Sequence, residues 1–518
     1  MKNTIKLLVA TIIFYTSCNA FAQYTLDWQQ NAGTEAKTSQ MSVVDSQDNI
    51  IVTGYGLNSL LWTRKYNISG TLLWETSDSS GIPSIYEKSN WVSCDADNNV
   101  LVIGNLYSYS SSFQREYPQS IVALKYSPTG TLLWRTIIPI SILINNQISF
   151  DCRSVVDATG NLYIGTSINN GATLIKLDPN GNVVFTNSST VNNPINFNGM
   201  RIRNNKIALV TSSPSPTVAP VFVWDTDGTL LWTANANGLI AADVEIDENE
   251  NVYVLSTLQY MPNPITYDYD AQLTKYSATG SLLWTYHYDF GGYNFVNRMT
   301  YVNNRISAMG YGNASGLKWF TFQTDADGTL LWSSPYNEGS PVTQSDSYPK
   351  YIIAKPTGEV IVTGVGGPTP DPFNPSFNQM PIVQYSNTGV QNWVSTPNIY
   401  AGTGLGLAFA SDGSLFAIGS RNMYVFHYNA DALSVNDNTI SSKTMVAPNP
   451  FSDKISIRLD GINAPTTAAI FDVAEKMLLS VDLQKAQSEL ELSSLQSGIY
   501  FCQLKSASKT ETVKIIKK

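Results

Sequence analysis

The sequence predicts an all-β protein built from repeats, and three observations support this prediction. A pentapeptide, Gly-Thr-Leu-Leu-Trp or a close variant, recurs at a near-constant spacing along most of the chain, which is typical of a repeat architecture. Between its copies lie short apolar or alternating segments separated by Asp, Asn, Ser and Gly, as in strands joined by turns. Only 14% of the 518 residues are charged, and the abundant Tyr, Trp and Thr favour strands.

Each repeat contains four predicted strands, of which the pentapeptide forms the fourth. The first repeat consists of Met41–Val44, Asn49–Gly54, Leu61–Tyr66 and Thr71–Glu75. The pentapeptide copies begin at Gly70, Gly130, Gly181, Gly228, Gly280, Gly328 and Gly389. An eighth repeat starts at Leu407–Ala410 but has only three strands, and Tyr24–Trp28 resembles the missing fourth strand.

Eight such units in a ring predict an eight-bladed β-propeller, because a ring closed by the N-terminal strand leaves no unpaired edge. Seven blades, with the last repeat packed otherwise, is the alternative. We interpret the repeated Trp as a packing residue between blades. The long connections, such as Tyr107–Ser120, Leu258–Asp270 and Gly366–Met380, all emerge on one side of an up-and-down blade. One face is therefore expected to carry long loops and to hold the function.

The two ends of the chain have different predicted roles. Residues 1–22 read as a secretory signal peptide, with cleavage between Ala22 and Gln23 after an Ala-Phe-Ala sequence. Cys18 offers the alternative of a lipidated N-terminus, which Tyr15 disfavours because a lipobox would have Leu there. The propeller is assigned to residues 23–433, a polar linker to 434–445, and a small Ig-like β-sandwich to 446–518. No later segment is long and apolar enough to span a membrane.

The C-terminal segment resembles the sorting domain of the type IX secretion system of Bacteroidetes. The residues that carry the resemblance are Pro448, Asn449, Pro450, Gly498, Tyr500, Lys514, Lys517 and Lys518. The resemblance implies the type IX secretion machinery as partner, export through the outer membrane, and a secreted or surface-attached propeller. An ordinary accessory sandwich, in which Pro-Asn-Pro is only a turn, is the alternative.

The repeats themselves are similar to quinoprotein-type blades. Ser127–Trp134 and Ser277–Trp284 carry the Thr-Gly and Trp of that pattern. The family includes eight-bladed quinone-dependent dehydrogenases and also non-enzymatic scaffold propellers, so the motif supports the fold and not a redox activity. The sequence shows no adjacent cysteine pair and no inserted catalytic domain, and we predict no cofactor.

Few residues suggest chemistry. His287 and His427 are the two histidines, which disfavours a histidine-based zinc site or a Ser-His-Asp triad. The Asp-x-Asp-Gly sequences ending at Gly228 and Gly328 are interpreted as turns rather than calcium loops. The acidic run from Asp243 to Glu250 is interpreted as a solvated turn rather than a metal site. We therefore predict no catalytic and no metal-ligating residues.

Cysteine spacing and net charge narrow the functional classes further. Cys94, Cys152 and Cys502 form no disulfide framework, and a Cys94–Cys152 bridge stays an open alternative. The net charge of −9, without a basic cluster before the C-terminus, disfavours a nucleic-acid partner.

The predicted ligand-binding residues are aromatic and lie on the long loops. They are Tyr107, Tyr109, Tyr117, Tyr260, Tyr267 and Tyr269, with Phe113 among them. Aromatic faces rimmed by hydrogen-bonding groups suit a glycan or a protein, whereas the alternative is that they pack over their own blades. The sequence thus favours a binding or adhesion protein. A secreted enzyme, either quinone-dependent or polysaccharide-cleaving, is the alternative.

Overall fold

The structure is a computed structural model in which the chain forms two compact units, Met1–Leu433 and Ser434–Lys518. It describes residues 24–430 and 444–518, apart from 34–36, 57–59, 80, 82–84, 111–114, 141–150, 169–170, 191–195, 213–218, 237, 264–265, 313–317, 337–347, 367–378, 398–400, 460–465, 473–475, 484–486 and 506–509. The predicted signal peptide, its cleavage site at Ala22 and Gln23, and most of the predicted linker lie outside the described residues. No described helix is long and apolar enough to cross a membrane.

The first unit consists of antiparallel sheets of four strands each. After β1 (Tyr24–Gln30), the first four sheets contain β2 (Lys37–Val44), β3 (Ile50–Gly56), β4 (Leu61–Tyr66), β5 (Leu72–Asp78); β6 (Ile85–Cys94), β7 (Val100–Ser110), β8 (Arg115–Tyr126), β9 (Leu132–Pro139); β10 (Cys152–Val156), β11 (Leu162–Ile168), β12 (Gly171–Leu177), β13 (Val183–Thr190); β14 (Asn196–Arg203), β15 (Lys206–Ser212), β16 (Pro220–Asp225) and β17 (Leu230–Asn235).

The remaining four sheets repeat the same plan, and the last one borrows β1. They contain β18 (Ile240–Ile246), β19 (Val252–Asn263), β20 (Thr266–Tyr276), β21 (Leu282–Tyr288); β22 (Asn294–Val302), β23 (Arg305–Gly312), β24 (Lys318–Asp325), β25 (Leu330–Tyr336); β26 (Tyr348–Ala354), β27 (Val360–Val365), β28 (Ile382–Tyr385), β29 (Gln391–Ser395); β30 (Gly404–Phe409), β31 (Leu415–Gly419), β32 (Tyr424–Ala430) and β1.

The sheets follow one another around a ring, which is consistent with a propeller. Each first strand packs beside the first strand of the next sheet, and β30 packs beside β2. The last sheet has the order β1-β32-β31-β30, with Tyr24 opposite Ala430 and Gln30 opposite Val425. The N-terminal strand therefore completes the last sheet, as the sequence predicts.

The repeated Trp joins neighbouring sheets through the turn before the next fourth strand. Trp74 Nε1 donates to the Pro128 carbonyl at 2.9 Å, and Trp134 Nε1 donates to the Pro179 carbonyl at 2.9 Å. A Cβ on Gly130, in that same turn, would lie 2.8 Å from the Trp74 ring. The pentapeptide thus supplies both halves of the contact between sheets, the indole of one copy and the glycine of the next.

The strands on one side of the ring are longer than predicted. The expected loop Tyr107–Ser120 is a continuation of β7 and β8, in which Tyr109 lies opposite Glu116. The expected loop Leu258–Asp270 is likewise a continuation of β19 and β20, closed near Asn263 and Thr266. Cross-strand pairing of aromatic and β-branched side chains stabilises such hairpins, so these segments are strands and not loops. Most of Gly366–Met380 lies outside the described residues.

The second unit is a small β domain of two antiparallel sheets around one core. One sheet has the order β33 (Thr444–Ala447), β34 (Lys454–Leu459), β37 (Gln487–Glu491), and the other the order β36 (Met477–Leu483), β35 (Thr466–Phe471), β38 (Gly498–Lys505), β39 (Thr510–Lys517). Phe451, Ile455 and Ile457 share the core with Ile470 and Cys502. The strand β33 was missed because half of it falls in the predicted linker.

Candidate functional site

A β-bulge interrupts the first strand of seven of the eight sheets of the first unit. The bulged residues, which lie between the two register positions, are Gln40, Asn90, Asn198, Ala242, Asn297, Lys350 and Leu405. A bulge adds one residue to a strand and turns its side chain away from the alternation. The third sheet has no register shift in β10, and Asp151 directly precedes that strand.

All seven bulged residues and Asp151 line one cavity, which we call the channel-mouth pocket. Its volume is about 400 Å³. It also contacts Thr257, halfway along the second strand β19, and Tyr311, near the end of the second strand β23, so it lies toward the C-terminal ends of the second strands. These are the ends from which the long hairpins and the sheet-to-sheet connections emerge, whereas the other ends close in tight turns such as Asp45–Asn49. The pocket therefore opens at the middle of the elaborated face.

Side-chain amides of three bulged residues tie their first strands to the first strand of the next sheet. Asn198 Nδ2 donates to the Ala241 carbonyl at 2.7 Å, and Asn297 Nδ2 donates to the Pro349 carbonyl at 2.7 Å. Asn90 Nδ2 donates to Asp151 Oδ1 at 3.3 Å. The pocket rim is thus held by hydrogen bonds between sheets, which makes it a preformed cavity.

Directly beside the bulges, charged side chains from different sheets meet around Asp243. Its carboxylate has no exposed surface and receives the Met299 amide at 3.2 Å. Arg153 lies 3.4 Å from it, Arg201 3.7 Å and Arg298 3.8 Å. Gly199 makes room for this carboxylate, because a Cβ there would lie 2.9 Å from Asp243 Oδ1. Three guanidinium groups therefore surround one buried carboxylate.

Aromatic rings and a second carboxylate complete this cluster. The Arg298 guanidinium lies 4.3 Å from the ring centroid of Tyr351, and both Arg153 and Arg298 lie over Trp91, at 5.2 and 5.6 Å. Glu245 accepts from Arg201 Nε at 2.9 Å. Such stacking holds the guanidinium planes in place while leaving some of their N–H groups free to donate.

Burial shifts the pKa values of several of these groups. Burial, and then the neighbouring Arg298, lower the pKa of Arg153 to about 10, so this side chain stays charged at neutral pH. Burial raises the pKa of Glu245 to about 7, although Arg201 opposes the shift. Burial and Arg298 also lower the pKa of Lys350. Of these three groups, Arg153 and Lys350 line the pocket, so burial disfavours the charged form of two cations in its wall.

The predicted ligand-binding tyrosines lie elsewhere on the same face, on two hairpins three sheets apart. Tyr107, Tyr109 and Tyr117 are on β7 and β8 of the second sheet, and Tyr260, Tyr267 and Tyr269 are on β19 and β20 of the fifth. Tyr109 and Tyr267 are each 52% exposed. Tyr269 instead packs against Phe295 at 4.8 Å, and the Asn105 amide donates to the Tyr107 hydroxyl at 3.3 Å. The companion Phe113 lies outside the described residues.

The acidic run from Asp243 to Glu250 is not a solvated turn throughout. Asp243, Glu245 and Asp247 are buried, whereas Glu248 is 61% exposed in its side chain. The alternation of β18 places Asp243 and Glu245 on the same face, and Asp247 directly follows that strand. The prediction of a solvated turn was wrong for these three carboxylates. Asp243 and Glu245 pair with arginines of other sheets, and Asp247 accepts from Tyr253 and Asn251 of its own sheet. The spacing of two residues between these carboxylates was the signal in the sequence that could have indicated a shared face.

Asp325 caps its own turn by accepting from the Thr329 amide at 2.8 Å, as a turn residue should. Cys94, Cys152 and Cys502 are free thiols, so Cys94 and Cys152 form no disulfide in this structure. No group of three or more potential metal ligands occurs among the described residues. A second cavity, of about 430 Å³, lies within the sixth sheet and its preceding connection, beside Lys318 and Trp319.

The residues of the predicted sorting motif come together in the C-terminal domain. Asn449 Nδ2 donates to the Lys514 carbonyl at 2.8 Å, and its Oδ1 accepts from the Ile516 amide at 2.9 Å. Lys517 Nζ donates to the Leu492 carbonyl at 3.2 Å and to that of Ser452. Exposed side chains are Pro448, Pro450, Lys514 and Lys518, whereas Tyr500 is buried and donates to the Gln496 carbonyl at 2.8 Å.

Comparison with known proteins identifies the C-terminal domain. Residues 445–518 match the family described as the secretion system C-terminal sorting domain. This match implies interaction with the type IX secretion machinery and export across the outer membrane, to a secreted or surface-attached state. A search of the curated proteins found no match to this chain.

Similarity to solved structures is distant. The Dos1 propeller is 10% identical over 78% of this chain and 95% of its own, with a TM-score of 0.49. Hydrazine synthase of Kuenenia stuttgartiensis is 10% identical over 69% of this chain and 99% of its own, with a TM-score of 0.42. A protein from Lactobacillus plantarum is 11% identical over 73% and 98%, with a TM-score of 0.41. None of these similarities bears on function.

Proposed function

We propose that this chain is a binding protein: an eight-bladed, quinoprotein-like β-propeller, followed by an Ig-like sorting domain, that holds a ligand on its elaborated face outside the cell. The observation that carries the binding function is the convergence of seven bulged residues and Asp151 on one pocket. Concave sites with a few convergent polar groups are the usual form of a ligand site.

A glycan or a protein is the ligand class we propose for this face. The pocket offers cationic and amide groups at its centre, and the exposed Tyr109 and Tyr267 stand on hairpins around it. Tyr rings combine apolar area with a hydroxyl group, and they lose little conformational entropy on binding. Binding, rather than catalysis, is the function that these groups support.

A binding screen tests this proposal. The chain from Gln23 to Lys518 should retain one or a few glycans on an array, or one surface protein in a pull-down, and Tyr109→Ala or Tyr267→Ala should weaken the interaction. The same preparation should release no reducing sugar from polysaccharides and show no quinone absorbance. Either activity would favour a secreted enzyme instead.

Export is the second part of the proposal. We expect a chain without Met445–Lys518 to accumulate in the periplasm, because the sorting domain is the element that the secretion machinery recognises. Cell fractionation and protease accessibility on intact cells measure this. The matching control places residues 445–518 behind a periplasmic reporter, which should then reach the surface. Normal surface appearance of the truncated chain would refute the sorting role.

A further inference from the structure

We propose that the channel-mouth pocket binds an acidic sugar, whose carboxylate is held by Arg153, Arg298 and Lys350 and whose hydroxyl group donates to Asn90. This inference rests on the proposed function, since it names the ligand class for the same face. Three independent features of the pocket support it: its charge, an acceptor without a partner, and its aromatic wall.

The charge of the pocket wall favours an anion. Arg153, Arg298 and Lys350 line the pocket, and Asp151 is the acidic residue among its lining. Arg153 and Arg298 share the Asp243 carboxylate at 3.4 and 3.8 Å, which is too long for strong hydrogen bonds. Each guanidinium group therefore keeps N–H donors for a ligand, and guanidinium groups bind carboxylates well. This cationic pocket lies in a chain of net charge −9.

The arginines are held in position before any ligand arrives. Arg298 is 9% exposed and lies over the rings of Trp91 and Tyr351. Arg153, on the third sheet, also lies over the ring of Trp91, which is on the second sheet. Side chains fixed in this way lose little conformational entropy on binding, so the pocket is preorganised for a carboxylate.

The hydroxyl group is inferred from Asn90. Its Nδ2 donates to Asp151 Oδ1 at 3.3 Å, which fixes the orientation of the amide. Its Oδ1 is buried and has no hydrogen-bond partner among the described residues. An acceptor in this state calls for a donor, which a ligand hydroxyl group can supply. A simple anion such as sulfate has no donor, whereas a sugar acid has both a carboxylate and hydroxyl groups.

The size and the aromatic wall of the pocket fit a sugar. Phe295 and Tyr311 stack at 5.5 Å and both line the pocket, and aromatic faces suit the C–H face of a sugar ring. The volume of about 400 Å³ is within the range of small-molecule sites. We therefore expect a single uronic acid, or the end of an acidic glycan, rather than the middle of a long chain.

Calorimetric titration of the chain from Gln23 to Lys518 tests the inference. Galacturonate and glucuronate should bind at least about tenfold more tightly than galactose and glucose, a ratio that corresponds to one bidentate charged contact. Raising the salt concentration should reduce that preference. Two variants test the carboxylate-binding and the hydroxyl-binding groups of the site separately. Lys350→Gln should abolish most of the preference for uronates, and Asn90→Ala should weaken uronates and neutral sugars alike.

Lys318→Gln is the matched control, because Lys318 lines the separate cavity in the sixth sheet; it should leave all affinities unchanged. Equal affinity for uronates and neutral sugars, no binding of either, or equal effects of the two lysine variants would overturn the inference. The inference would also fail if sulfate competed for the pocket as well as galacturonate and Asn90→Ala changed no affinity. Tighter binding of a short acidic peptide than of either uronate would likewise overturn it.

The proposed function is judged separately. If Lys350→Gln still retains the ligands found on the array or in the pull-down, the protein is a binding protein and the pocket is not its acidic-sugar site. If neither the unmodified chain nor the variant retains any glycan or protein, the proposed binding function itself fails.

Discussion

At the residue scale, the glycine of each pentapeptide explains why the motif repeats so faithfully. Gly130 has a φ of +87°, where side chains other than hydrogen are strained, and its open side faces the Trp74 ring of the preceding sheet. Glycine thus meets two requirements at once: a left-handed turn and close approach of an indole. The two leucines of the motif are by contrast exposed, Leu72 at 43% and Leu73 at 48%.

A pair of glycine variants separates these two requirements. Gly413 has nearly the same φ of +85°, but a Cβ there would meet nothing within 4 Å. We expect Gly413→Ala to lower the free energy of unfolding by about 1 kcal/mol, from backbone strain alone. Gly130→Ala should lower it by about 3 kcal/mol, since the clash with Trp74 adds to the strain. Thermal denaturation followed by circular dichroism compares them; equal losses would mean that the indole contact is unimportant.

At the element scale, the turn between first and second strands has its own recurring design. An Asp begins the turn and an Asn four residues later donates to it, at Asp45 and Asn49, Asp95 and Asn99, Asp157 and Asn161, and Asp247 and Asn251. In three sheets a buried lysine of the third strand also pairs with this Asp: Lys65 with Asp45 at 2.7 Å, Lys125 with Asp95 at 2.9 Å and Lys275 with Asp247 at 3.9 Å. The Asp of this turn therefore links the first, second and third strands of one sheet.

These turns predict acid sensitivity. Burial alone would raise the pKa of Asp95, but hydrogen bonds from Asn99 and Lys125 outweigh it, and the pKa lies below its ordinary value. The resulting stabilisation is complete above the unfolded-state pKa of about 3.9 and is lost as the pH falls through the lower folded-state pKa. Asp95→Asn should cost about 3 kcal/mol at pH 7, and its difference in Tm from the unmodified chain should shrink below about pH 3.

The control is Asp97→Asn, an exposed position in the same turn, whose Tm should follow that of the unmodified chain at every pH. A difference for Asp95→Asn that stays constant from pH 7 to pH 2 would show that the carboxylate charge contributes nothing.

At the scale of the whole molecule, the ring depends on a strand from the other end of the chain. Tyr24 is buried and packs against Trp393 of the seventh sheet, with ring centroids 5.3 Å apart. Trp28 stacks on His427 at 5.4 Å and donates to the Ile68 carbonyl of the first sheet at 2.8 Å. The strand β1 therefore contacts both neighbours of the last sheet as well as β32.

Removal of β1 should open the ring. A chain that begins at Asn31 leaves β32 with an unpaired edge, and such edges pair with other chains. We expect its Tm to fall by roughly 10 °C or more, because several kcal/mol of packing are lost, and we expect dimers or aggregates in size-exclusion chromatography. A chain that begins at Tyr24 is the control and should stay monodisperse. A stable, monodisperse protein without β1 would contradict closure by this strand.

The sequence by itself determined the repeating unit, the closing strand and the sorting domain. Each of these is written in local order: the Gly and Trp of the pentapeptide, the strand-like Tyr24–Trp28, and the Pro-Asn-Pro motif with its basic end. Local order is sufficient for the first seven blades, because each is a meander of neighbouring strands whose hydrogen bonds join residues close in sequence. The closing strand pairs with β32 from the other end of the chain, and only its likeness to the other fourth strands revealed it.

Only the tertiary structure shows which residues form the pocket. Arg153 and Asp243 meet although 90 residues separate them, and Asp243 sits on a strand whose simple alternation does not reveal which side chain faces the pocket. A bulge shifts that alternation by one residue, and nothing in a single sequence marks where it falls. For the same reason Asn90 and Lys350 could not be chosen as ligand-binding residues, whereas the tyrosines of the hairpins could. A pattern of period two predicts strands, but only the assembled ring shows which residues share its centre.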